Sequence, residues 1–64
     1  MINFYLSNKD IIGKHVEILY MKGEPHYKGK KGIVKTIDSS GQIHGTWGGC
    51  AIIPGTDQWR ILHN

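Results

Sequence analysis

The chain has 64 residues, a formal net charge of +3, an isoelectric point near 9.2 and 39% apolar residues. That is room for one domain. So short a chain buries only about 60% of the surface it exposes when unfolded, which leaves little core to wall a catalytic cleft and argues against an enzyme.

Other features of the composition narrow the setting. Cys50 is the single cysteine, so no internal disulfide forms and a reducing compartment is expected. There is no CxxC, and His15, His26, His44 and His63 are widely spaced, so neither a metal site nor a cofactor is expected. The first six residues lack the basic start and long apolar core of a signal peptide. No apolar run approaches the roughly 20 residues of a membrane span. The expected location is the cytoplasm, with no membrane partner. Nine glycines imply many turns.

In chain order, Ile2, Phe4 and Leu6 alternate with polar or aromatic residues and form an edge strand or an arm over one end of the fold. Residues 7–10 read as a turn. Residues 15–21 read as a half-buried strand, with Val16, Ile18 and Tyr20 on one face and His15, Glu17 and Leu19 on the other. Residues 22–31 carry Gly23, Pro25 and Gly29 among polar side chains and are expected to be a long irregular loop, because Pro and Gly break a helix. A second strand is expected over 32–37. A tight turn follows over 38–41, where Asp38, Ser39 and Ser40 can bond the backbone. A third strand is expected over 42–47, a Gly48-Gly49 hairpin after it, a fourth strand over 50–53, a turn over 54–57 and a last strand over 58–62.

No segment holds a 3.6-residue apolar period. Several short strands leave open edges unless the sheet closes, so the expected fold is all-β. It is a small five-stranded SH3-like barrel with a long first loop. Residues 1–12 are the N-terminal arm and residues 13–64 the barrel. An OB-like barrel competes, but it usually needs a longer chain and a helix between strands. The expected core is Val16, Ile18, Val34, Ile37, Ile43, Ile52, Trp59 and Ile61, with Phe4 or Leu6 covering one open end.

The ordered motifs carry a resemblance. Gly13 to Ile18 with Met21 looks like a GxxVxL…M opening, and Lys31-Gly32-Ile33-Val34 like the GxV strand that follows. Residues 38–44 with Trp47 are similar to DDxGxIHVxW, and residues 53–61 to IPGxDxFRxL. Together these resemble a family of short bacterial and phage proteins known as a domain of unknown function. The resemblance implies a fold and a bacterial or phage setting, and no activity. The chain departs from the pattern at Gly45, where an apolar residue is usual, and at Gly48-Gly49, which shortens a hairpin. Residues 30–34 also resemble the KOW motif of SH3-like ribosomal and transcription proteins, over those few positions.

Four candidate features follow. Tyr27, Lys28, Lys30 and Lys31 place basic charge beside an aromatic side chain in the long loop. That pattern suits nucleic acid, but a solvated loop whose lysines keep the domain soluble is the more common reason for it. Trp47 is either a core residue or an exposed face for stacking on a peptide. Asp38 and Asp57 are expected to bond turn backbones. Cys50 is a small buried hydrophobe, or a thiol with His44 across the hairpin as its base. No catalytic set is complete. The expected function is a non-catalytic interaction module, monomer or weak dimer, that presents the 21–31 loop and the Trp47 hairpin to a protein or peptide. Weak, largely non-sequence-specific nucleic-acid binding through the loop lysines is the alternative.

Overall fold

The computed structural model describes residues 8–62. The fold is all-β: no α-helix occurs among the described residues, and the only helical pieces are 3-10 turns at Asn8–Ile11 and Pro25–Tyr27. The strands are β1 (His15–Tyr20), β2 (Lys31–Ile37), β3 (Ile43–Gly45) and β4 (Gln58–Ile61). They form one antiparallel sheet in the order β3-β2-β1-β4.

The sheet stays open among the described residues, because the fourth expected strand is reduced to one bridge. Ile43 and Ile52 exchange both backbone hydrogen bonds, at 2.9 and 2.8 Å. On either side of Ile52 the backbone is committed elsewhere. The Trp47 indole N–H donates to the Cys50 carbonyl at 2.7 Å, and the Ile53 N–H donates to Asp57 Oδ2 at 2.8 Å. Groups bonded outside the ladder cannot extend it.

Val16, Ile18, Val34, Ile43 and Ile52 are fully buried, joined by Ile11, Met21 and Trp47. Each of these aliphatics contributes about 1.5–3 kcal/mol by leaving water, so a few of them decide whether so small a domain folds. Ile37, Trp59 and Ile61, expected inside, are half-buried and packed against this cluster. Phe4 and Leu6 lie outside the described residues.

Two bulges change which residues reach the core. The β1–β4 register shifts between Ile18 and Tyr20, so Tyr20 is turned out, at 43% exposure, and the next residue, Met21, is buried. The β2–β3 register shifts between Val34 and Thr36, so Ile37 pairs with Ile43 and joins the core at odd spacing from Val34. One inserted residue reverses the inside and outside positions of a strand.

The described residues before 13 also pack on this sheet. The Asn8–Ile11 turn packs against β2, Ile11 is buried, and the Gly13 N–H donates to the Val34 carbonyl at 2.8 Å.

Candidate functional site

The 21–31 loop is a chain of tight turns rather than an irregular excursion. Glu24 N–H donates to the Met21 carbonyl at 3.1 Å, Tyr27 to Glu24 at 2.9 Å and Lys30 to Tyr27 at 2.9 Å. Gly29 N–H then donates to the Ile18 carbonyl at 2.7 Å, which returns the chain to β1. Met21 anchors one end of this loop in the core, and the half-buried Tyr27 anchors the middle.

Opposite the loop runs the segment that contains Trp47. Trp47 is buried, at 5% exposure, so it offers no stacking face to a partner. The cause is the glycines around it. A Cβ at Gly45 would strike the Trp47 ring and lie 2.5 Å from the Ile33 carbonyl oxygen. A Cβ at Gly32 would lie 2.8 Å from the Trp47 backbone nitrogen. The indole therefore lies across two residues without side chains, and its N–H is satisfied by Cys50. The expected Gly48-Gly49 hairpin is a wider turn, in which Gly48 sits against the Tyr27 ring; a Cβ there would be 2.6 Å from the Tyr27 hydroxyl.

The candidate binding residues are thus only partly brought together. Lys28, Lys30 and Lys31 are exposed. Lys30 Nζ lies 5.2 Å from the Tyr27 ring centre, within cation–π range, so this chain's own lysine covers a face of that ring. Lys31 pairs in register with Glu17, which also accepts two hydrogen bonds from Arg60, at 2.9 and 2.7 Å. Lys31 therefore stands beside an acid on the sheet.

Cys50 and His44 do not form a pair. His44 Nε2 lies 2.9 Å from Asp38 Oδ2. The neighbouring Cys50 side chain, with burial, pushes the Tyr27 phenol above its ordinary value of 10.0, against a smaller opposing contribution from the Gly49 backbone. His44 does the opposite to Asp38. Its hydrogen bond, with the Gln42 and Ser40 N–H groups, holds that carboxyl below 3.8.

Between the loop and the Trp47 segment lies a groove of about 290 Å³. Met21, Gly23 and Glu24 come from the loop, and Gln42, Cys50, Ala51 and Ile53 from the opposite segment. Asp57 joins the two sides. It is buried, at 7% exposure; its Oδ1 accepts from the Lys22 N–H at 3.0 Å and its Oδ2 from the Ile53 N–H at 2.8 Å. The expected turn-bonding role of Asp57 covers the second contact and not the first.

Of the groove residues, Met21, Gly23 and Glu24 fall within the 21–31 loop expected to face a partner, but none was singled out from the sequence as a binding residue. One signal did point to Met21: an apolar residue directly after Tyr20 breaks the alternation of 16, 18 and 20, and an out-of-phase apolar residue marks a bulge. Comparison with protein-family models, with curated proteins and with solved structures returns no match to this chain.

Proposed function

We propose that this chain is a non-catalytic interaction module that binds an extended peptide segment in the groove between the 21–31 loop and the 42–53 segment. The observation that carries this reading is the groove itself: an apolar-sided cleft whose two walls are tied together by one buried carboxylate. A built, preformed cleft between loops is where binding sites concentrate on small rigid scaffolds. The fold reading that fits is a reduced SH3-like barrel. In its support, β1 is flanked by β2 and β4, and Ile52 stands outside β3 where a further strand would lie. The kinship with short bacterial and phage proteins rests on the ordered motifs and belongs to the same proposal.

Nucleic acid is the weaker reading. Trp47 is buried, and the Tyr27 ring already holds Lys30, so the aromatic platform that a base would need is largely occupied.

The test is selection of peptides from a random display library on the immobilised chain, followed by titration of a selected peptide into isotope-labelled protein. The amide signals of Gly23, Glu24, Ala51 and Ile53 are expected to move together. Movement confined to Lys28, Lys30 and Lys31, or no selected peptide, overturns the assignment of the groove.

A further inference from the structure

We infer that the peptide bound in this groove is cationic: a segment carrying a lysine or arginine beside an apolar side chain, with the cation at Glu24 and the apolar group against Met21 and Ile53. This rests on the groove being a peptide site and adds what the site selects.

The argument starts from charge. The chain holds eight Lys and Arg against five Asp and Glu, so an average patch of its surface is positive. The groove reverses that balance. Glu24 and Asp57 line it, and among the described residues no basic one does. Asp57 is bonded only by neutral backbone N–H groups, and no cation stands within ion-pair distance of it among the described residues. Backbone dipoles hold a carboxylate in place without cancelling its charge, so its field extends into the adjoining space. Glu24 is better placed to touch a ligand. Its side chain is 43% exposed, and its ion-pair contact is the more exposed His26, at 3.3 Å.

The second half of the argument is shape. About 290 Å³ is the lower end of the range for ligand sites, enough for one or two side chains and too small for a folded partner element. Its sides include Met21, Ala51 and Ile53, and Ile53 is 41% exposed. An apolar group that covers Ile53 gains the area removed from water. Methionine adapts its shape to whatever enters. A phosphate backbone, in contrast, meets two carboxylates and no cation here, which places nucleic acid outside the groove.

Three blocked hexapeptides test the inference, alternating leucine with arginine, with glutamine and with glutamate. Each is titrated into the labelled full chain and read at the amides of Gly23, Glu24, Ala51 and Ile53. The arginine peptide is expected to bind tightest, to weaken as salt is raised, and to lose about threefold in affinity in Glu24→Gln, the size of a partly exposed ion pair. Glu24→Gln alters a loop side chain outside the core, and an unchanged amide spectrum of the free variant confirms its fold. Equal affinity for the arginine and glutamine peptides overturns the inference and leaves the groove a peptide site. Tightest binding of the glutamate peptide also overturns it. Failure of all three to move the groove amides overturns both readings. A single-stranded oligonucleotide that moves the groove amides overturns the cationic assignment directly.

Discussion

Two aspartates in this chain have the same local chemistry and opposite reach. Asp38 and Asp57 each accept hydrogen bonds from two backbone N–H groups, at 2.8–3.0 Å. Asp38 bonds Ser40 and Gln42, two and four residues away, and its side chain is 36% exposed. Asp57 bonds Ile53, four residues away, and Lys22, 35 residues away, and it is buried. The first carboxylate closes a turn. The second closes a turn and also fastens the start of the long loop to the segment on the far side of the groove. The difference shows that a side chain's structural weight depends on how far apart in sequence its partners lie. A contact across 35 residues exists only once the fold has formed.

The sharpest way to break this comparison is to remove Asp57. Asp57→Ala leaves the partly buried Lys22 and Ile53 N–H groups without their acceptor. Each charge-assisted bond is worth about 1.5–3 kcal/mol, so a loss of about 3 kcal/mol in unfolding free energy is expected, with the groove walls freed. Denaturant melts followed by tryptophan fluorescence measure it. Asp57→Asn keeps one acceptor oxygen and is expected to fall between the variant and the parent. Equal stability of all three proteins refutes the role assigned to the long-range bond.

The next effect in size concerns the wall that Asp57 fastens. Trp47 lies over Gly45 and Gly32, so Gly45→Ala forces the indole or the Ile33 carbonyl to shift. Overpacking of this kind costs about 1–3 kcal/mol. Acrylamide quenching of tryptophan emission is expected to rise as Trp47 leaves its place. Unchanged quenching shows that the ring does not depend on the glycine at 45.

These two regions also explain what was legible in the sequence. The Asp38 turn was legible because its contacts span a few residues and rest on short-range side-chain chemistry. So were β1, β2 and β4, whose apolar alternation survives over most of their length. The 42–53 stretch was not. It has the marks of two strands about a Gly-Gly turn, yet Trp47 folds inward and takes the Cys50 carbonyl out of the ladder. That choice depends on both Gly32 and Gly45 lying close against Trp47, an arrangement made by strand pairing and not by neighbours in sequence. The bulges at residues 19 and 35 are of the same kind. Each is legible only as an apolar residue out of phase, Met21 in one case and Ile37 in the other. The groove inherits this difficulty, because one side depends on the first bulge and the other on the Trp47 segment.

The smallest expected effect sharpens the other half of the comparison. Asp38 owes its lowered pKa first to His44 and then to the Gln42 and Ser40 N–H groups. Its folded value lies below the ordinary 3.8, so the stabilisation it gives is present above that value and fades as pH falls through the folded one. His44→Gln removes the leading cause and keeps the two backbone bonds. The Asp38 carboxyl is then expected to titrate closer to 3.8, and still below it, in carbon-detected NMR, while the amide signals of the groove stay in place. Solvent screens this exposed pair, so its change in stability is expected to be far smaller than that of Asp57→Ala. Movement of the groove amides in His44→Gln would show that the two carboxylates are coupled through β3. It would also end the distinction between a carboxylate that shapes only its own turn and one that joins distant parts of the chain.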